Sequence, residues 1–218
     1  MKLFLYLFMA TIFLGQLYAR EPLPGSRYEA LSGIQKSKEK KEITPQEEKR
    51  IDRQDKSPSP FLAENLDFLE PGAKVLDVDM GDGRNAVFLA RKGFKVTALE
   101  EDEESYKKAR IFAKEFGVRI DGILADPIQH QFPTQSFDAI ICFYRVDKKL
   151  LERMKAWLRP GGVIVFEAHT EQETKILPKE RSVKSGELLT FFNGFKILKY
   201  EEPLHRKEYT AGIIVKKE

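Results

Sequence analysis

Residues 75–90 read VLDVDMGDGRNAVFLA, and their order predicts a strand, a tight turn and a helix in succession. Val75, Leu76 and Val78 are typical of a buried strand, and the glycines that follow them suit a turn. A helix is expected to begin at Arg84. This order places backbone N–H groups and the start of a helix around one small space, which favours binding of a compact ligand.

The next predicted strand, residues 95–100, reads KVTALE and ends in a carboxylate. Glu100 lies about 20 residues beyond the first strand, where nucleotide-binding α/β folds place the acid that binds the ribose hydroxyls. A shift of the strand by one residue would give this position to Glu101 instead. The two strands together therefore predict a site for a nucleoside.

Apolar runs and helical patterns alternate along the rest of the chain. The predicted strands are Lys74–Val78, Lys95–Leu99, Arg119–Leu124, Phe137–Phe143 and Val163–Ala168, followed by an antiparallel pair at Phe195–Tyr200 and Tyr209–Val215. The predicted helices are Arg84–Lys92, Glu103–Glu115, Lys148–Leu158 and Gly186–Phe192, preceded by an amphipathic helix from Phe61 to Leu69. Pro160-Gly161-Gly162 is expected to stop a helix and turn the chain into the fifth strand. This order predicts an α/β fold with a Rossmann-like, seven-stranded, mostly parallel sheet, a C-terminal antiparallel hairpin and helices on both faces.

From about residue 58 onward the chain resembles the class I S-adenosylmethionine-dependent methyltransferases, in particular a small bacterial branch of the tellurite-resistance type. The segments that carry the resemblance are VLDVDMGDGRNAVFLARKGFKVTALE, ILADP, FDAIICFY, LRPGGVIVFEAHT and GELLTFF. The resemblance implies S-adenosyl-L-methionine as cofactor and direct methyl transfer to a small-molecule acceptor. It names no acceptor, and tellurite, thiol, oxygen and nitrogen acceptors stay open because substrate loops vary most in this fold.

The resemblance also assigns site residues at the ends of the strands. The implied cofactor-binding residues are Asp77, Asp79, Gly81, Gly83, Arg84, Asn85, Glu100, Glu101, Asp126, Pro127, Cys142 and Phe143. Asp77 would help to position the amino group of the methionine moiety, and Arg84, beside Asn85, would pair with its carboxylate. Gly81 and Gly83 would let the backbone approach the ligand, because a Cβ there would collide with it.

The adenine and the acceptor have implied partners further along the chain. Asp126 would accept from the adenine amino group, and Pro127 or Ile128 would pack against the ring; ordinary turn chemistry is the alternative for Asp126-Pro127. Tyr144 or His169 would hold or deprotonate the acceptor, unless these side chains only cap the ends of their strands. Cys142 suits a small buried position better than a nucleophile, since methyl transfer needs alignment rather than a covalent intermediate.

Asp79 departs from the family pattern, which has glycine or alanine at this point of the turn. A carboxylate here would lie near the carboxylate of the cofactor. At an effective dielectric of about 20 and a separation of ~4 Å, this repulsion would cost about 4 kcal/mol unless solvent, Arg84 or a rotation of the side chain relieves it. The alternative function is therefore a binding or scaffold protein that keeps the fold without catalysis.

Composition argues against several other classes of protein. The 37 Lys and Arg residues against 34 Asp and Glu give a net charge of +3, and no strong basic patch or Asn-Pro-Pro-Tyr-type motif favours nucleic acid. The single cysteine excludes an internal disulfide framework and a cysteine-based zinc cluster. The three histidines are scattered, so no metal site is predicted. The oligomeric state cannot be read from the sequence.

The N-terminal residues predict export. Lys2 precedes an apolar run from Leu3 to Leu14, and a small residue, Ala19, closes the segment, as in a secretory signal peptide. We therefore expect a signal segment at 1–19, a charged polar tether at 20–57 and the methyltransferase domain at 58–218. The protein would be periplasmic or secreted; alternatively, an uncleaved segment 1–19 would anchor it to the membrane.

Overall fold

The computed structural model describes residues 56–171, 182–202 and 209–218. The predicted signal segment and all but the last two residues of the predicted tether lie outside these ranges. Within the described part of the chain, no helix is long and apolar enough to cross a membrane.

A mixed β-sheet forms the centre of the domain. Its strands are β1 Lys74–Val78, β2 Lys95–Glu100, β3 Asp121–Leu124, β4 Phe137–Phe143, β5 Leu158–Thr170, β6 Ser182–Val183, β7 Phe195–Glu201 and β8 Thr210–Lys217. The helices are α1 Pro60–Glu64, α2 Arg84–Arg91, α3 Glu103–Glu115, α4 Lys148–Trp157 and α5 Glu187–Phe191, with a 3-10 turn at Leu66–Phe68. The predicted bounds of β1, β4 and α3 are confirmed to the residue.

The strands follow the spatial order β3-β2-β1-β4-β5-β8-β7. β1 to β5 run parallel, while β8 pairs antiparallel with both β5 and β7. The strand order reverses between β1 and β4, so the carboxyl ends of these strands border a crevice where open α/β sheets bind ligands. The predicted fold class is confirmed, and the connections place the predicted site at this edge.

An eighth strand corrects the prediction of seven. β6 has only two residues, and it pairs in parallel with His169 and Thr170 at the end of β5. A two-residue strand is too short to show the alternation of apolar and polar residues by which strands are recognised.

Apolar side chains pack on both faces of the sheet. Val75 belongs to the cluster that includes Phe61 and Ile141, whereas its neighbour Leu76 belongs to the cluster that includes Ile140. Successive residues of a strand point to opposite faces, and a parallel sheet buries both of them. This explains why the apolar residues of β1 and β4 stand next to one another rather than in alternation with polar ones.

The predicted helix from Phe61 to Leu69 is broken at Asn65. The Asn65 side-chain Nδ2 donates to the carbonyl of Phe61 at 2.7 Å, and its backbone N–H bonds to Leu62 at 3.2 Å. Asparagine side chains compete in this way with the helical hydrogen-bond pattern. The segment is consequently a short α1 followed by a 3-10 turn.

Pro160-Gly161-Gly162 lies within β5 and not before it, which corrects the predicted turn. Phe137 pairs with Leu158 and Ala139 with Val163, so four residues of β5 face Asp138 alone as a large bulge. Gly162 has no room for a side chain, because a Cβ there would lie 2.8 Å from the Asp138 carbonyl oxygen. β5 therefore begins at Leu158, directly after α4.

Candidate functional site

The turn after β1 is fixed against the end of β2. The N–H groups of Asp79 and Met80 both donate to the carbonyl of Leu99, at 2.9 and 3.1 Å. Asp79 has φ +62° and Gly81 has φ +58°, a region in which glycine is unstrained and aspartate is one of the better tolerated residues. The positive φ angles of this turn therefore explain why glycine occupies position 81 and why an aspartate is tolerated at position 79.

The two glycines of the turn have different roles. A Cβ on Gly81 would meet no described atom within 4 Å, so this residue borders open space, as expected beside a ligand. A Cβ on Gly83 would lie 2.7 Å from the Cβ of Ala109. Gly83 is thus required for α2 to pack against α3, which differs from the predicted role in ligand approach.

Glu100 lies at the centre of the edge. It is 3% exposed, and its carboxylate accepts from the N–H of Gly81 at 2.8 Å and from the N–H of Asp102 at 2.7 Å. Burial raises the pKa of Glu100, although these backbone hydrogen bonds partly oppose the rise. A carboxylate offers about four acceptor sites, so capacity remains for the hydroxyls of a ligand. Glu100, rather than Glu101, is the acid beside the glycine turn.

Asp77 is a buried acid beneath the same turn. It is 2% exposed, and burial, together with the charges of Asp79 and Glu100, raises its pKa to about 8, against a hydrogen bond from Ala86 that lowers it. Its Oδ2 has no hydrogen-bond partner among the described residues. Leaving a buried oxygen unpaired costs about 1–3 kcal/mol. An ammonium donor from a ligand would satisfy this oxygen and the surrounding negative charge.

Arg145 holds two of the acidic groups at this edge and was not identified from the sequence. Its Nη1 lies 3.1 Å from Asp79 Oδ1 and 2.7 Å from Glu101 Oε1. Asp79 is therefore charge-compensated. The sequence could have indicated this residue, since Arg145 follows the end of β4 by two residues. The carboxyl ends of parallel strands meet at one edge of the sheet, where the acids of β1 and β2 also lie.

Arg84 and Asn85, the predicted pair, both have partners within the protein. Arg84 is 45% exposed, and its Nε and Nη2 contact the two oxygens of Asp82, both at 3.1 Å. Asn85 is buried and accepts from the Ser59 N–H at 2.9 Å. The assignment of Arg84 to a ligand carboxylate stays a prediction, and its fork is already engaged by Asp82.

The loop after β3 lies beside Glu100. The N–H of Ala125 donates to the carbonyl of Glu100 at 2.9 Å, and Asp126 accepts from the N–H of Ile128 at 2.7 Å. Pro127 is buried next to this turn. The predicted turn chemistry is thus present, and the loop occupies the same edge as the predicted ribose acid.

Tyr144, His169 and Glu167 form a cluster at the ends of β4 and β5. The Tyr144 ring stacks on His169 with centroids 4.5 Å apart, and its hydroxyl donates to Glu167 Oε2 at 3.2 Å. The same oxygen accepts from Ser59 Oγ at 2.8 Å. The structure therefore brings the two predicted acceptor residues together and adds Glu167. The signal for Glu167 was an acid within the apolar run GGVIVFEAHT.

Cys142 and Phe143 are interior residues. Both are buried, and burial raises the pKa of the Cys142 thiol, so it stays protonated. Its Sγ contacts the carbonyl of Arg145 at 3.7 Å. Cys142 thus supports the segment that carries Arg145, and it is not a nucleophile. Among the described residues, no group of three or more His, Cys, Asp or Glu side chains is placed to hold a metal ion.

Comparison with known proteins identifies similar sequences and a similar fold. Residues 75–162 match the family model of a methyltransferase domain. The fold is that of a class I methyltransferase. The chain is 21% identical to the structure of TehB from Haemophilus influenzae, with a TM-score of 0.61 over 72% of this chain and 61% of that one. A SAM-dependent methyltransferase structure from Aquifex aeolicus is 20% identical, with a TM-score of 0.61 over 80% and 98% of the two chains.

Two curated relatives are ubiquinone biosynthesis O-methyltransferases. The protein of Idiomarina loihiensis is 35% identical over 113 residues, which are 49% of this chain and 46% of the relative. That of Actinobacillus pleuropneumoniae is 30% identical over 148 residues, 55% of this chain and 63% of the relative. The chain thus spans between 39% and 63% of the length of the curated relatives that it matches.

Proposed function

We propose that this protein transfers a methyl group from S-adenosylmethionine to a small-molecule acceptor. The observation that carries the proposal is the arrangement around the glycine turn. The Glu100 carboxylate is held by the Gly81 N–H at 2.8 Å, and beneath the turn lies the buried, unpaired oxygen of Asp77. These groups are complementary to ribose hydroxyls and to an ammonium group.

The cofactor fits the donor and acceptor set of this edge. Glu100 would accept from the ribose hydroxyls, Asp77 from the amino group of the methionine moiety and Asp126 from the adenine amino group. Gly81 keeps the backbone free of a side chain where these groups meet. When bound, the cofactor supplies an electrophilic methyl group. The chain supplies position, which is the main requirement of a direct transfer.

The acceptor would be held at the ends of β4 and β5. The Tyr144 ring and the His169 imidazole stack with centroids 4.5 Å apart, and the Tyr144 hydroxyl donates to the buried Glu167 carboxylate. These side chains can orient a polar acceptor and take the proton that its nucleophilic atom loses. Because the two curated relatives are named O-methyltransferases, a hydroxyl acceptor is the first class to test.

The alternative, a scaffold protein that has lost cofactor binding, has two grounds: the charge of Asp79, and a predicted signal segment that would separate the protein from a cofactor made in the cytosol. The salt bridge from Arg145 at 3.1 Å argues against the first ground. Calorimetric titration of S-adenosylhomocysteine into the full 218-residue chain decides between the two functions. Micromolar binding that is lost in Glu100→Gln supports the enzyme, while absence of binding in both wild type and Asp79→Gly excludes it.

We also propose that the protein is exported. The support is the sequence of residues 1–19, a single lysine, an apolar run and Ala19. Fractionation of expressing cells, with sequencing of the mature N-terminus, tests this. A mature chain that begins at Arg20 outside the cytosol supports cleavage, and an intact soluble chain in the cytosol contradicts export.

A further inference from the structure

Acidic side chains dominate the turn after β1 and the end of β2. Four acids stand at or next to the ends of β1 and β2: Asp77, Asp79, Glu100 and Glu101. The charges of Asp79 and Glu100 both contribute to the raised pKa of Asp77. A ligand that brings a negative group to this edge would meet repulsion from several carboxylates. A zwitterionic amino-acid ligand brings such a group together with its ammonium.

Arg145 lies among these acids. Its side chain is 20% exposed and contacts Asp79 and Glu101 at 3.1 and 2.7 Å. Burial alone would lower the pKa of Arg145, but the hydrogen bonds and charges of Glu101 and Asp79 raise it overall. The guanidinium is thus a fixed cation at an acidic edge.

The guanidinium still has donors to offer. Both contacts use Nη1, and the described part of the chain supplies no hydrogen-bond acceptor for Nε or Nη2. Arginine binds carboxylates best through two parallel N–H groups. By contrast, Arg84 uses Nε and Nη2 on Asp82 and is 45% exposed. Of these two arginines, Arg145 is the one whose Nε and Nη2 remain available to a ligand.

We propose that Arg145 is a specificity-determining residue that admits the carboxylate of an amino-acid ligand to this edge. It would do so by neutralising Asp79 and Glu101 and by donating from its remaining N–H groups. The inference rests on the proposed function, since the amino-acid ligand is the methionine moiety of S-adenosylmethionine. Asp79, a residue that would otherwise repel the ligand carboxylate, becomes the group that orients Arg145.

Two probes separate this role from general support of the site. S-adenosylhomocysteine carries the amino-acid carboxylate, whereas 5′-methylthioadenosine keeps the nucleoside thioether and lacks the amino acid. Calorimetric titration of both into full-length wild type and Arg145→Met gives the comparison. We expect Arg145→Met to weaken S-adenosylhomocysteine by about tenfold or more, and 5′-methylthioadenosine by less than about twofold.

A second variant and a matched control test the electrostatic part. Asp79→Asn combined with Arg145→Met is expected to recover part of the lost affinity, because the opposing charge is also removed. Arg159→Met breaks an arginine–aspartate bridge of 2.8 Å to Asp138 at the amino ends of the strands. That variant should bind both probes as wild type does. Thermal melting of each variant checks that it is folded.

The outcomes are distinct. Equal weakening of both probes in Arg145→Met would make Arg145 a structural residue and overturn the inference. The inference would also be overturned if Arg145→Met bound S-adenosylhomocysteine as wild type does while Arg84→Met bound it more weakly. Unchanged affinity of Arg145→Met for S-adenosylhomocysteine would overturn this inference alone, whereas absence of S-adenosylhomocysteine binding in both wild type and Asp79→Gly would overturn the proposed function itself.

Discussion

At the scale of single residues, Asp77 makes the stability of the ligand-free domain depend on pH. Its pKa is about 8 in the folded state against an ordinary value of 3.8. The folded state therefore binds more protons than the unfolded state between these values, and stability falls as pH rises through this window. We expect the wild-type melting temperature to fall relative to that of Asp77→Asn from about pH 5 to about pH 8, and then to level off. A constant difference between the two proteins across this range would contradict the raised pKa.

Ser59 carries a second prediction at this scale. Its buried hydroxyl donates to the Glu167 carboxylate at 2.8 Å, and loss of a bond to a buried charged group is costly. Ser59→Ala should lower the free energy of unfolding by about 1–3 kcal/mol. Urea denaturation measures this change. Ser136→Ala is the control, because that hydroxyl donates to a neutral carbonyl in an exposed loop; a similar loss in both would argue against the charged bond.

Residue types at strand ends were predictable, whereas their partners were not. The positions of Glu100 and Asp77 follow from strand periodicity and from the distance between two strands. The pairing of Asp79 with Arg145 could not be predicted in this way, because the two residues are 66 apart in the sequence. It depends on the order of the strands and on a side-chain rotamer. Glu167 was overlooked for the same reason, since its hydroxyl donors, Ser59 and Tyr144, lie on distant segments.

At the scale of elements, Gly81 and Gly83 should respond differently to alanine. Both have positive φ, but only a Cβ on Gly83 would overlap Ala109 at 2.7 Å. We expect Gly83→Ala to cost about 2–4 kcal/mol, since strain adds to overpacking of α2 on α3. Gly81→Ala should cost only about 1 kcal/mol and should instead weaken S-adenosylhomocysteine. Chemical denaturation with calorimetry separates the two effects, and the reverse order would contradict the packing argument.

Elements with strong local signals were predicted well. α3 begins at an aspartate N-cap whose side chain accepts from Ser105, and β1 and β4 are short segments dominated by apolar residues. The errors lie where a local signal was overridden. Asn65 broke a helix through its own side chain. The bulge at residues 159–162 arose from pairing with β4, which no local pattern reports.

At the scale of the whole molecule, ligand binding and protonation are coupled through the buried acid at the sheet edge. Near pH 7 the free domain holds Asp77 mostly protonated, because its pKa is about 8. An ammonium group beside the orphaned Oδ2 would favour the charged form and lower that pKa, so binding should release a proton. The affinity for S-adenosylhomocysteine is therefore expected to rise with pH and to level off above about pH 8.

Calorimetry in buffers of different ionisation enthalpy measures this release directly. At pH 7 the observed binding enthalpy of wild type should depend on the buffer, with up to one proton released per ligand bound. Asp77→Asn cannot release that proton, so its binding enthalpy should be independent of the buffer even where its affinity is lower. Identical buffer dependence in the two proteins would place the proton elsewhere. A carboxylate that destabilises the free fold as pH rises would in this way strengthen binding of a cationic amino group.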